Sequence, residues 1–164
     1  MNNPNPTPKR KYPRLKGHDY SQEGSYFITI CTHERLPTLS SIVEVEGVGA
    51  SPHPTSIGEI IENELIALPN RFPSISIDNY VIMPNHIHVL ITIFEGSDSS
   101  IMDIVRAFKS VSARICNQTD NTPARKIWQR SFYDTIIRNE RAYKNFWDYI
   151  ESNPSKWHND EYYM

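Results

Sequence analysis

A chain of 164 residues, 38% of them hydrophobic and with a mean hydropathy of −0.53, can bury the core of one domain beneath a polar surface. No apolar run approaches the roughly 20 residues of a membrane span, and the Asn/Pro-rich, then basic, N-terminus lacks the apolar stretch of a secretory leader, so a cytoplasmic protein with no membrane partner is expected. Net charge is only −2, which excludes a uniformly basic nucleic-acid binder, yet the charge is uneven: +4 over residues 1–20, −8 over 21–100 and +2 over 101–164. A phosphate-binding surface would therefore draw on the first 20 residues and the last third.

Residues 1–12 read as a disordered, basic, Pro/Asn-rich tail, and 13–164 as a single domain. Ser25 to Thr32 is strand-like. Ile42 to Val48 offers a weak strand, and Val48 to Pro54 reads as an inserted loop to which no role is assigned. Thr55 or Ser56 can cap a helix running to about Leu68, with Ile57, Ile60, Ile61, Leu65 and Leu68 on one face, and Pro69 ends it. Ile75 to Met83 and Ile87 to Phe94 are strands joined by a tight Pro84-Asn85 turn. Gly96 to Ser100 is a loop able to cap a helix from about Ile101 to Asn117, whose buried face is Ile101, Ile104, Val105, Phe108, Val111, Ser112 and Ile115. Phe132 to Arg138 alternates as a short strand, and a last helix from about Glu140 to Ser152 stops before Pro154. The order β, α, β, β, α, β, α predicts an α+β fold, a ferredoxin-like sandwich with a central antiparallel sheet.

His86 and His88 stand two apart in a strand pattern, so their imidazoles project from one face. Two imidazoles on a rigid strand can share one metal ion; the plainer alternative is a pair of histidines hydrogen-bonded within the sheet. Tyr149 and Asn153 are four apart on a helical pattern and share a helix face. The alternative for Tyr149 is one more aromatic on the packed side of that helix, beside Phe146 and Ile150. Metal, phenol and amide together suggest phosphodiester chemistry with tyrosine as nucleophile. A phenol has a pKa near 10 and needs a nearby cation to react at neutral pH. Cys31 and Cys116 fit no zinc spacing and read as reduced, partly buried thiols.

Five segments in order carry a resemblance. They are Arg14-Leu15-Lys16-Gly17-His18-Asp19-Tyr20-Ser21 with Tyr26 to Thr32; Met83-Pro84-Asn85-His86-Ile87-His88; Ile104 to Ser110; Ile127 to Asp134; and Asp148 to Trp157. Over residues 12–158 the chain resembles the single-tyrosine HUH endonucleases, and within them the IS200-like transposases associated with repetitive extragenic palindromes (REP). The resemblance implies a C-terminal helix carrying the nucleophile, Tyr149, which would attack a DNA phosphate to give a 5′-phosphotyrosine and a free 3′-hydroxyl. It makes His86 and His88 metal ligands and Asn153 the third, around Mg²⁺ or Mn²⁺. Tyr143 is the runner-up nucleophile, and Tyr133 is structural.

The expected activity is metal-dependent nicking and strand transfer on single-stranded DNA at hairpin-containing sites, by a monomer or homodimer. The candidate DNA contacts are Arg106, Lys109, Arg114, Arg130, Arg14 and Lys16, with Arg125, Lys126 and Arg138 as further phosphate contacts and Trp128 as a face on which an unpaired base could stack. Two competitors differ in class: a non-catalytic hairpin-binding module of the same fold, and a histidine-based phosphoesterase. The latter calls for a second paired HxH, and His18, His33, His53 and His158 are isolated.

Overall fold

The computed structural model describes residues 14–164, so the tail expected over 1–12 lies outside the described residues. Four strands form one sheet: β1 (Gly24–Cys31), β4 (Ile75–Ile82), β5 (His86–Ile93) and β6 (Tyr133–Ile137), in the order β4-β5-β1-β6 with every pair antiparallel. Helix α1 (Ser56–Ile66) connects β1 to β4, and α3 (Ile101–Thr119) connects β5 to β6. This is the ferredoxin-like α+β arrangement that the element order predicts.

Period-two alternation in the central strands assigns the two faces. Tyr26, Ile28 and Ile30 of β1, with Ile87, Val89 and Ile91 of β5, join Ile61 and Leu65 of α1 and Ile104, Val105 and Phe108 of α3 in one core. Phe27, Cys31 and Leu90 point the other way, into a second core with Ile150 of α4 (Glu140–Ser152), Trp157 and Tyr162. In the β1–β5 register Thr29 is opposite His88 and Cys31 opposite His86, so both histidines lie on the face that α4 covers.

The helices start where side chains can take up unpaired amides. Thr55 accepts from the Gly58 N–H, Asn139 from the Ala142 N–H, and Ser100 and Asp103 cap each other reciprocally. Helix α1 ends at Ile66, and Pro69 sits within a separate single turn, α2 (Leu68–Arg71). On α3, Val111 and Ile115 are only half-buried, while Cys116 joins the core. Both cysteines are free and buried.

The stretch Val48 to Pro54 is not a loop. Strand β3 (Gly49–Pro54) pairs with β2 (Ser40–Val45) from Ser40↔Pro54 to Val45↔Gly49, and Gly47 and Gly49 take φ of +79° and +95° at the turn. Pro52 and Pro54 argue against a strand in the interior of a sheet, but a two-stranded ribbon has two free edges where a missing N–H costs nothing. The root of this hairpin is tied to the histidine turn: the Leu39 N–H donates to the Pro84 carbonyl (2.9 Å), and Ser40 Oγ donates to the Ile82 carbonyl (2.8 Å). After α4 a 3₁₀ turn (Pro154–Asn159) carries the chain back across the sheet, burying Trp157 and then Tyr162.

Candidate active site and metal centre

Strand β5 starts at His86, so the pleat holds the rings of His86 and His88 side by side, with their Nε2 atoms 3.1 Å apart. The other nitrogen of each ring is engaged. His86 Nδ1 lies 2.9 Å from Asn85 Oδ1, and the Asn85 amide nitrogen donates to the Tyr162 carbonyl (2.7 Å), which fixes the amide's orientation. An amide oxygen only accepts, so His86 carries its proton on Nδ1 and presents a lone pair at Nε2. His88 Nδ1 is 2.7 Å from the Thr29 hydroxyl, which can donate or accept and so suits either tautomer. A ligating histidine needs this outer-sphere support.

Both rings are buried, His86 at 0% and His88 at 1% exposure. Burial holds His86 well below the ordinary imidazole range, with His88 beside it pressing the same way, and brings His88 down to about 3. Both are neutral at physiological pH, the form that binds metals.

Asn153 caps α4 and is 2% exposed. Its Nδ2 donates to Asp160 Oδ2 (3.1 Å), while its Oδ1 meets no donor at hydrogen-bonding geometry. Its side chain faces His86 and Tyr149 closely enough to bias the protonation of both. A buried, unpartnered amide oxygen beside two imidazole Nε2 atoms is a donor set that a cation would satisfy. A carboxylate joins them: one oxygen of Asp160 and one nitrogen each of His86 and His88 lie within 4.8 Å of one another. The donor set, two imidazoles, an amide oxygen and a carboxylate, fits a divalent ion of mixed N/O preference such as Mn²⁺ and is less suited to Mg²⁺, which prefers oxygen alone.

Tyr149 is 36% exposed, with its ring centroid 5.2 Å from that of His88 and 5.8 Å from that of Phe27. Burial of its hydroxyl pushes the phenol up to about 12; Asp160 and Glu161 push the same way, and the Asn153 side chain opposes them. Tyr143 is engaged elsewhere, its hydroxyl donating to Asp78 Oδ2 (3.0 Å).

Of the residues named from sequence, His86, His88, Asn153 and Tyr149 converge. The sequence pattern assigns no role to Asn85, Thr29 or Asp160. No spacing rule points to Asp160, because the irregular turn after Pro154 brings it back.

The DNA-contact candidates lie apart from the histidines. Arg14, Arg106, Lys109 and Arg130 line one open groove of about 400 Å³, floored by Met102, Val105 and Phe132. The groove borders α3, on the other face of the sheet. Arg14 also pairs with Asp134 (3.4 Å) and covers the Phe132 ring, and Arg106 pairs with Asp103. Lys109 is half-buried, and its ammonium donates to the Gln129 and Arg130 carbonyls (2.5 and 2.9 Å). Arg114 is exposed further along α3 beside Asn117 and Gln118, and Lys16 is exposed near the first described residues. Trp128 corrects the reading as a stacking face. It is 8% exposed, packs against Phe108 and donates its indole N–H to Ser112 Oγ (3.0 Å), so it belongs to the core. Among the described residues no helix is long and apolar enough to cross a membrane.

Comparison with known proteins adds independent findings. Residues 63–153 match the family described as "Transposase IS200 like". A Haemophilus influenzae protein described only as uncharacterized is 31% identical, over 94% of this chain and 93% of its own. The REP-associated tyrosine transposase of Escherichia coli K12 is 25% identical, over 84% of this chain and 70% of its own. Among solved structures, a REP-associated tyrosine transposase bound to a REP hairpin superposes with a TM-score of 0.64 at 24% identity, covering 87% of this chain and 73% of that one; at that identity the likeness speaks for the fold.

Proposed function

The chain belongs to the IS200-like transposase family, and from that premise we propose that it nicks and rejoins single-stranded DNA through a phosphotyrosine on Tyr149, at sites that contain a hairpin. We propose further that the catalytic unit is the single domain of residues 13–164. The observation that carries this reading is the meeting of the His86 and His88 Nε2 atoms with the unpartnered Asn153 Oδ1 beside the Tyr149 phenol.

In the first step Tyr149 Oη attacks the phosphorus of a DNA phosphodiester and loses its proton. The bond from phosphorus to the 3′-oxygen breaks, the departing 3′-oxygen takes up a proton, and the 5′-phosphate stays on Tyr149. In the second step a 3′-hydroxyl attacks that phosphorus, the bond to tyrosine breaks, and the phenol regains its proton. With a phenol at about 12, only about 1 molecule in 100,000 carries phenolate at pH 7, so the resting protein is not a spontaneous nucleophile.

His86, His88 and Asn153 would hold a divalent ion, Mn²⁺ or Mg²⁺, whose chemistry when bound is to polarise the scissile phosphate and offset charge on the leaving oxygen. Asn85 keeps the Nε2 lone pair of His86 available, and Thr29 accepts the Nδ1 proton of His88 in the tautomer that would ligate. The rigid β5 strand and the close packing of Phe27 on Phe146 of α4 (4.4 Å between centroids) hold donors and phenol in fixed relation. The relative solved with DNA holds a REP hairpin; a hairpin is the substrate we propose here.

The test is incubation with Mn²⁺ and a pool of labelled single-stranded hairpin DNAs. A protein–DNA band that survives denaturation, is lost in Tyr149→Phe and needs metal is the expected result. An adduct that persists in Tyr149→Phe would overturn the assignment of the nucleophile.

A further inference from the structure

Resting on the metal centre proposed above, we infer that Asp160 is its one charged ligand, and that metal binding thereby fastens the C-terminal segment from Trp157 to Met164 across the sheet.

Asp160 is held in place by bonds that do not depend on an ion. Its N–H donates to the Trp157 carbonyl (3.0 Å), its own carbonyl accepts from the Tyr163 N–H (3.0 Å), and Oδ1 accepts from the Tyr162 N–H (2.7 Å). Oδ2 accepts from Asn153 Nδ2, which spends the amide's donor on Asp160 and leaves Oδ1 as the buried atom without a partner. Asp160 thus reaches the donor cluster as a preorganised group.

Charge argues for ligation. Among the described residues no lysine or arginine pairs with Asp160. Its carboxylate stands in the donor cluster with His88, whose ring centroid is 5.2 Å from that of Tyr149, where a negative charge opposes both formation of a phenolate and approach of a phosphate. A carboxylate so placed works against the reaction unless a cation sits between it and them. His86, His88 and Asn153 are all neutral donors, so Asp160 supplies the only negative charge the ion meets from this group. The ligands also come from three pieces of chain: the histidines from β5, Asn153 from the end of α4, and Asp160 from the segment that buries Trp157 and Tyr162. An ion bound by all of them resists the lifting of that segment, because binding free energy to the docked form adds to its stability.

The test is Mn²⁺ titration calorimetry on the full chain, with hydrogen exchange read over residues 156–164. Asp160→Asn is expected to weaken Mn²⁺ binding at least tenfold, and again by a similar factor in an Asn153→Ala background. In the wild type Mn²⁺ is expected to slow exchange across 157–164, and in Asp160→Asn to leave it unchanged. No further loss in the Asn153→Ala background would overturn the inference, because Asp160 would then act only by aiming Asn153. Unchanged exchange in wild type with Mn²⁺ would overturn the fastening, and it needs no variant to fold. His88→Ala separates this failure from that of the metal centre. Mn²⁺ binding lost in His88→Ala but kept in Asp160→Asn overturns the role of Asp160 alone; binding kept in both overturns the centre itself.

Discussion

Asn85 Oδ1 accepts the Nδ1 proton of His86 at 2.9 Å, and this bond sets which nitrogen of the buried ring is free to bind an ion. The same amide reaches the Tyr162 carbonyl, so one side chain links the histidine turn to the C-terminal segment. Asn85→Ala leaves His86 without this lock. Its expected effect is a 10- to 100-fold loss of Mn²⁺ affinity, the range found when outer-sphere partners of ligating histidines are removed, and titration calorimetry reads it. Thr29→Val removes the equivalent partner of His88 and is expected to cost a similar factor.

Two tyrosines on α4 are expected to have separable roles. Tyr149→Phe is expected to abolish the covalent adduct while leaving hairpin affinity within about twofold. Tyr143→Phe breaks the bond to Asp78, which also receives the hydroxyl of Thr92. Its expected cost is about 1 kcal/mol of stability, with adduct formation retained. Adduct gels and denaturant melts of the two variants, run in parallel, would show the roles exchanged if Tyr143 were the nucleophile.

Gly58 marks where the hairpin root meets α1. A Cβ built there would lie 2.0 Å from the Leu39 carbonyl oxygen, and that backbone is held by the Leu39 N–H to Pro84 bond and by the Thr55 N–H. Gly58→Ala is therefore expected to destabilise the fold by about 1–3 kcal/mol through overpacking, although alanine is the better helix former. The displaced Leu39 backbone should pull on the turn before His86, so Mn²⁺ affinity is expected to fall as well. A melting temperature equal to that of wild type would contradict this.

The cationic groove invites a test that separates contact from scaffold. Arg130 is exposed, and its loss in Arg130→Ala is expected to lower the slope of log affinity for hairpin DNA against log salt by about one, with little change in stability. Lys109 spends its ammonium on the Gln129 and Arg130 carbonyls. Lys109→Ala is therefore expected to lower stability by about 1–3 kcal/mol, and its salt slope should change less than that of Arg130→Ala.

Much of this was legible because the sequence carries strong local periods. The β1 and β5 patterns, the caps at Thr55 and Ser100 and the stop before Pro154 depend on neighbours in the chain. So do the pairs His86/His88 and Tyr149/Asn153, whose shared faces follow from strand and helix geometry. What escaped depends on distant chain. The β2–β3 hairpin is held by its root, and its prolines speak against it in any local reading. Trp128 stands beside Gln129 and Arg130 as a surface residue would, yet Ser112, sixteen residues earlier on α3, takes its indole N–H into the core. Asp160 enters the site only because a 3₁₀ turn reverses the chain after α4.

Acid should weaken the metal-free protein before its carboxylates titrate. His86 and His88 are held neutral when folded, His88 down to about 3 and His86 well below its ordinary value, whereas unfolded histidine takes up a proton near 6.5. As pH falls below about 6.5 the unfolded chain binds protons that the folded chain cannot, so stability is complete above that value and is lost below it. Each of the two contributes a slope of about 1.4 kcal/mol per pH unit. Guanidinium midpoints at pH 7.0, 6.0 and 5.0 with chelator present should decline accordingly, and the decline should be shallower in His88→Leu, which removes one of the two protons. Saturating Mn²⁺ should raise the midpoint by a similar amount at pH 7.0 and at pH 5.0, since the folded rings are neutral and open to the ion at both. A midpoint that stays level from pH 7.0 to 5.0 would mean that the two rings are protonated or solvated in the folded protein, and the closed site described here would then not be its resting state.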